Sequence, residues 1–348
     1  MKKMLVLGNF CFGSESFNGH TSKSRDYLYY LAQKYGSESF EIIDTKDFRK
    51  NFISSYFKLK KLLKKVDAVI LLLGLNAAKL LIPIILKSKK KYKFKVFWSL
   101  VGGGLLYDDS AHNKLCPMLK GIDALFCETK ALTEHFSEYV PKTYYTPVFT
   151  QRKLSKPFLP VKNDGVLKFC TYSRVCKEKG ITLAVEAVKE INGQGVKCTL
   201  DIFGDPQPEY AKELNSILQN TENYITLNDY LSGESVIDKL SEFDAMLFPT
   251  YYPGEGFPIG VMECFKAGVP VIASDWHFNS EIIENGSTGF IFGLNNLSEL
   301  IDCIKRLLDD RDLALDMRVN AYKYSCEFEP EQVLSKLFVE IDGQIYNN

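Results

Sequence analysis

The feature that most constrains this 348-residue chain is an alternation that runs twice: short apolar segments rich in Val, Ile, Leu and Phe are separated by longer stretches of helical period. The first series is Met4–Gly8, Phe40–Asp44, Ala68–Gly74, Lys95–Val101, Ala124–Cys127 and Thr143–Thr146. The second is Lys168–Tyr172, Lys197–Phe203, Ala245–Pro249, Val269–Ala273 and Gly289–Phe292. A strand apolar along its whole length is buried on both faces, which in water means a parallel sheet covered by helices on both sides. The stretch after Gly180 places Ile181, Val185, Val188 and Ile191 on one helical stripe, as such a covering helix requires. The length suits two domains of this kind. The spacing predicts an α/β chain with one Rossmann-like domain over residues 1–155 and another over 156–329, joined through the Pro- and Lys-rich segment 146–165. From Pro330 onward, Leu334, Phe338, Ile341 and Ile345 share a face, so a terminal helix over 330–348 is expected to pack back on the first domain. Open sheets of this class bind ligands at the carboxyl ends of their strands.

Charge divides with the domains. The chain is neutral overall, but residues 1–155 carry 26 Lys+Arg against 13 Asp+Glu, and residues 156–348 carry 17 against 30. The lysines concentrate in 51–67, where Phe52, Tyr56, Leu59 and Leu63 form a stripe flanked by Lys58, Lys60, Lys61, Lys64 and Lys65, and again in 86–95. Either the stripe packs on the sheet and the lysines are solvated, or this surface docks on an anionic membrane leaflet. Nucleic acid is not an expected partner, because the chemistry described next gives it no role. The nine cysteines form no CxxC pair and no Cys/His zinc spacing, and read as reduced thiols of a cytoplasmic protein. The first apolar run stops at Gly8-Asn9, too early for a signal peptide. The most apolar window, 68–86, contains Asn76, Lys79 and Pro83 and reads as a buried strand followed by a helix, not a membrane span. Localisation is therefore expected to be cytoplasmic, at most peripheral on the inner face of the membrane.

The chemistry concentrates in "TYYPGEGFPIGVMECFKAG" (250–268), where a strand feeds a glycine-rich turn and a helix begins near Ile259–Gly260. A helix start offers free N–H groups and a partial positive charge, a fit for phosphate. Gly254, Gly256 and Gly260 would let a ligand approach the backbone. Glu263, one turn into the helix, has only acceptors to offer, which suits the vicinal hydroxyls of a ribose. Glu255 lies on the other side of the phosphate position, within reach of a sugar beyond a diphosphate; capping of the helix is its alternative role. A second strand-to-helix connection, "TYSRVCKEKG" (171–180), supplies Arg174 as a bidentate fork and Lys179 as a point charge.

These segments together resemble the carboxyl-terminal domain of retaining, GT-B-fold family 4 glycosyltransferases: an Arg-x4-Lys-Gly segment, a Glu-x7-Glu segment, "GVPVIASD" and "SEII", with "GDP" at 204–206. The wording around them ("NGHTSKSRDYL", "ASDWHFNSEIIENG") is similar to enzymes of bacterial capsular and O-antigen polysaccharide synthesis. The resemblance implies a GT-B fold, two Rossmann-like domains whose parallel sheets face each other across a cleft. It implies transfer of a hexose-type sugar, with retained configuration and without a metal or other cofactor, from a UDP- or GDP-linked donor to a glycan or polyprenyl-linked acceptor. Arg174 and Lys179 would bind the diphosphate, with Glu255 beside them in catalysis. Glu263, Gly256, Phe257, Ile259, Gly260, Val261, Gly204 and Asp205 would line the donor. Asn18, Gly19, His20 and Thr21, with Gly102 and Gly103, would form the loop near diphosphate and acceptor. Where many members carry a histidine after the fourth strand, this chain reads "SLVGGGLL" (99–106), and His20 or His112 is the candidate substitute. Two other readings stand beside this one: a sugar-nucleotide epimerase on the same fold, and a non-catalytic nucleotide-sugar-binding subunit.

Overall fold

The structure is a computed structural model that describes residues 3–13, 19–46, 48 and 51–346. It divides into two compact units, Met1–Thr150 with Glu329–Asn348, and Gln151–Phe328. In the first, strands β1 (Met4–Gly8), β2 (Phe40–Asp44), β3 (Ala68–Gly74), β4 (Lys95–Val101), β5 (Ala124–Cys127) and β6 (Thr143–Tyr145) form one parallel sheet in the order β2-β1-β3-β4-β5-β6. All five residues of β1 and the first six of β3 are buried, which is why these strands read as unbroken apolar runs. The apolar window 68–86 resolves into β3 and the helix Leu75–Tyr92, with Pro83 inside that helix. Among the described residues no helix is long and apolar enough to cross a membrane.

The final helix, Pro330–Ile341, belongs to the first unit. Its Glu340 is buried and receives hydrogen bonds from Lys142 Nζ at 2.8 Å, Tyr144 Oη at 2.6 Å and Gln344, while Tyr35 Oη donates to Asp342 Oδ1 at 2.9 Å. Burial alone would raise the Glu340 pKa, but these donors outweigh it and hold the carboxyl below its ordinary range.

In the second unit, β7 (Leu167–Tyr172), β8 (Cys198–Phe203), β9 (Ile225–Asn228), β10 (Ala245–Phe248), β11 (Val271–Ser274) and β12 (Gly289–Phe292) are also parallel throughout, in the order β12-β11-β10-β7-β8-β9. Sequence periodicity misses β9. It is an edge strand of four residues with two side chains exposed, so it lacks the apolar run that marks the other strands of this sheet. The helix Ile181–Ile191 buries Ile181, Val185, Val188 and Ile191 against this sheet. The order reverses between β7 and β10, the place at whose carboxyl edge open sheets of this class bind ligands. The loops that leave these two strands are "SRVCKEKG" and "TYYPGEGFP".

Candidate functional site

The β7 loop is held against the end of β10 by a glycine. Gly180 adopts φ 70°, and a Cβ there would sit 2.0 Å from the Pro249 carbonyl oxygen. No other residue combines that backbone with that clearance. Tyr251 N–H then donates to the Glu178 carbonyl at 2.8 Å, so the two loops are tied together. From the other side, Trp276 Nε1 donates to the Tyr252 carbonyl at 2.9 Å and Ser274 Oγ to the Thr250 carbonyl.

This frame brings Lys179 to Glu255. Their charged atoms are 2.6 Å apart and each side chain is 8% exposed. Thr250 Oγ1 donates to the same oxygen, Glu255 Oε2, at 2.9 Å. The Lys179 ammonium also lies 5.0 Å from the Phe248 ring centre and 5.3 Å from that of Tyr252. Arg174 stacks its guanidinium over the Tyr252 ring at 4.5 Å and is itself exposed. Four residues after Glu255 the helix Ile259–Lys266 begins, and no side chain caps its start at Pro258. A fixed ammonium, a guanidinium on an aromatic shelf and a helix start without a side-chain cap are the groups that suit an anion, and Glu255 adds one carboxylate to them.

The remaining expected residues divide. The Phe257 ring packs edge-on against Phe328 at 5.9 Å and Val261 is buried, so neither side chain is turned to solvent. Gly260 also packs tightly: a Cβ would lie 3.0 Å from the Tyr172 carbonyl oxygen of β7, so the glycine lets helix and strand approach closely. Gly204 and exposed Asp205 follow β8 on the neighbouring strand end. Gly256 and Ile259 flank Phe257 and Pro258 at the helix entry. Glu263 is fully buried and its Oε1 receives a hydrogen bond from the Arg152 guanidinium, within an ion pair.

In the first unit, Gly19 opens the helix Gly19–Tyr35; Asn18 lies outside the described residues. His20 Nε2 lies 2.9 Å from the Leu72 carbonyl, an acceptor, so the proton sits on Nε2 in the neutral ring. Burial lowers its pKa and the nearby Lys23 charge lowers it further, against the pull of that hydrogen bond. Gly102 and Gly103 follow β4, and Gly102 N–H donates to Glu128 Oε2 at 3.1 Å. Thr21 is buried in the first turn. His112 is turned elsewhere: its Nε2 is 2.9 Å from that of His135 on the helix Lys130–Ser137.

Sequence reasoning did not single out Arg152, Thr250 or the buried pair Lys23–Glu128, whose charged atoms are 2.7 Å apart. Thr250 stood inside the quoted turn. The other three lie far along the chain from their partners and carry no local pattern. Among the described residues no group of three or more His, Cys, Asp or Glu is placed to hold a metal ion.

Residues 155–324 match the profile of the family described as glycosyl transferases group 1. In sequence the chain is 29% identical over 175 residues to the alpha-D-kanosaminyltransferase of Streptomyces kanamyceticus, covering 48% of this chain and 44% of that protein. It is 27% identical over 120 residues to the N,N'-diacetylbacillosaminyl-diphospho-undecaprenol alpha-1,3-N-acetylgalactosaminyltransferase of Campylobacter jejuni, covering 34% and 31%. The chain thus spans less than half the length of these relatives. In structure it superposes on Anabaena Alr3699/HepE, solved with UDP-glucose, at a TM-score of 0.76 and 13% identity, covering 99% of this chain and 100% of that one. The pneumococcal O-GlcNAc transferase GtfA, solved with UDP and GlcNAc, matches at a TM-score of 0.66 and 21% identity over 85% and 60%.

Proposed function

We propose, from the premise that residues 155–324 belong to the group 1 glycosyl transferases and that the fold is GT-B, that this protein transfers a sugar from a nucleotide diphosphate sugar to a glycan or lipid-linked glycan in surface polysaccharide synthesis. The observation that carries the reading is the buried Lys179–Glu255 pair beside Arg174 and the uncapped helix start, all at the point where the strand order of the second unit reverses. The diphosphate of a UDP- or GDP-linked donor would lie on Arg174, Lys179 and the first N–H groups of the helix Ile259–Lys266. These preorganised charges stabilise the departing diphosphate, and the reaction is proposed to need no metal. Glu255 is not cast as a nucleophile. Its Oε2 is held by Lys179 and Thr250, which leaves Oε1 to accept a hydroxyl of the transferred sugar. The acceptor oxygen attacks the anomeric carbon from the face the diphosphate leaves; the bond to the diphosphate oxygen breaks, and the acceptor proton passes to that oxygen. The configuration is retained.

The test is to incubate the protein with a panel of UDP- and GDP-sugars and glycan acceptors, measuring released nucleotide and the product anomer by NMR. Transfer with retention supports the reading. An epimerised donor without transfer supports the epimerase alternative, and nucleotide binding without turnover supports a binding subunit.

A second element concerns the membrane, and a specific observation favours it. The helix Phe52–Leu62 buries Leu59, with Leu63 buried just beyond it, but leaves Phe52 41%, Ile53 73% and Phe57 67% exposed. The apolar stripe is therefore wider than the sheet covers. Lys58, Lys61 and Lys65, with Lys3, line a cavity of about 320 Å³ beside it; Lys60 is turned inward to Ser88 at 2.8 Å. Exposed aromatics interleaved with lysines suit the boundary of an anionic leaflet, where each lysine contributes about 1 kcal/mol. This face would bring the enzyme to a lipid-linked acceptor.

A further inference from the structure

Glu263 lies wholly inside the second unit, yet its hydrogen bonding is incomplete. Oε1 is taken by the Arg152 guanidinium, whereas Oε2, equally buried, has no hydrogen-bond partner. A buried carboxylate oxygen without a donor is destabilising, and native structures leave few of them unexplained. Arg152 reaches it from the segment just past the boundary of the first unit, and its side chain is 13% exposed.

The electrostatics give Arg152 a definite task. Burial pushes the Glu263 pKa up, because a low-dielectric site disfavours the charged form, and the carboxyl stays above its ordinary range overall. The Arg152 charge and its hydrogen bond pull the other way, and the Tyr172 hydroxyl, facing the same carboxyl, adds to that pull without a hydrogen bond of ordinary geometry to Oε2. The other groups around the carboxyl bring no cation. Tyr230 stacks on Tyr172 at 6.4 Å and is held neutral by burial, and the Cys264 thiol on the same helix is pushed well above its ordinary range. Arg152 is the cation among the groups acting on Glu263.

We infer that Arg152 is a positioning residue: its guanidinium takes one oxygen of Glu263 and leaves Oε2 to accept a hydroxyl of the bound ligand. The inference rests on the donor-site reading above, in which that hydroxyl belongs to the ribose of the nucleotide. Arg152 itself would not touch the nucleotide. Removing it leaves only the influences of burial and of Tyr172, so the carboxyl would hold its proton to a higher pH and lose its power to accept.

The experiment compares UDP and GDP with their 2′-deoxy forms by calorimetry between pH 6 and 9, for the wild type, Arg152→Met, Arg152→Gln and Arg152→Lys. The wild type should prefer the ribonucleotide at least tenfold. Arg152→Met should lose that preference near neutrality and recover it as pH rises, while Arg152→Lys keeps most of it; a purely structural role would lower affinity without moving the pH midpoint. Arg152→Gln serves the same purpose if the Met variant does not fold. Ribose preference unchanged at every pH in both neutral variants overturns the inference. If the wild type binds no nucleotide, the donor reading has failed, and the Glu263 carboxyl resonance, titrated by NMR, decides the part played by Arg152. A higher midpoint in the neutral variant upholds its hold on the charge, and an unchanged midpoint overturns it.

Discussion

Replacing Lys179 with Met is the sharpest perturbation of the candidate site, because the structure fixes both what is removed and what is left behind. Methionine keeps the stem that packs on Phe248 and Tyr252 and deletes the ammonium 2.6 Å from Glu255 Oε2. With both side chains 8% exposed, Glu255 would be stranded as a buried charge whose remaining donor is Thr250. Breaking a buried pair from one side costs about 3–5 kcal/mol, whereas an exposed pair would cost about 0–1 kcal/mol. The lost cation–π contacts add about 0.5–2 kcal/mol. At about 2–4 °C per kcal/mol for a unit of this size, the combined loss of about 3.5–7 kcal/mol should lower Tm by roughly 7–28 °C. Glu255→Gln strands the ammonium instead. The double variant Lys179→Met/Glu255→Gln strands neither charge and should be more stable than the sum of the singles by up to about 3 kcal/mol. Urea unfolding followed by tryptophan fluorescence can be assigned to the second unit, since Trp276 bonds to the Tyr252 carbonyl while Trp98 is buried in β4 of the first; a Trp98→Phe background isolates the signal. Single losses below about 1 kcal/mol that add within about 0.5 kcal/mol would refute the reasoning, because the pair would then be behaving as a solvated one.

Arg174→Ala should leave the melting temperature nearly unchanged, since the side chain is exposed, while weakening nucleotide diphosphate binding by about 1.5–3 kcal/mol in calorimetry. Glu340→Gln should destabilise the first unit by roughly 1.5–3 kcal/mol at pH 7. Because the folded pKa of Glu340 lies below its ordinary 4.5, the advantage of wild type is present above that value and should fade as pH falls beneath it, which unfolding curves between pH 3 and 7 would show. Sedimentation with anionic vesicles should capture the wild type, weaken with salt, and drop when Ile53 and Phe57 become Ser or when Lys61, Lys64 and Lys65 become Gln; indifference to anionic lipid at low salt would end the membrane reading.

The sequence by itself determined the two sheets, their parallel pairing and eleven strand positions, because a strand buried on both faces must be apolar along its length and the pattern survives without its partners. It also singled out Arg174, Lys179, Glu255 and the helix start as one candidate group, since all sit in loops that leave strand ends, and the strand alternation sets which edge those ends share. What it could not determine is pairing across long separations. Nothing local says that Lys179 pairs with Glu255, that Arg152 is the cation on Glu263, or that a side chain at Gly260 would crowd the Tyr172 carbonyl. Nor does periodicity reveal that the helix Phe52–Leu62 offers more apolar surface than the sheet can cover, because the width of the stripe is a property of the helix and the width of the contact belongs to its neighbours. Those outcomes depend on which side chains the fold brings within a few ångströms of each other, and on how much water it leaves between them.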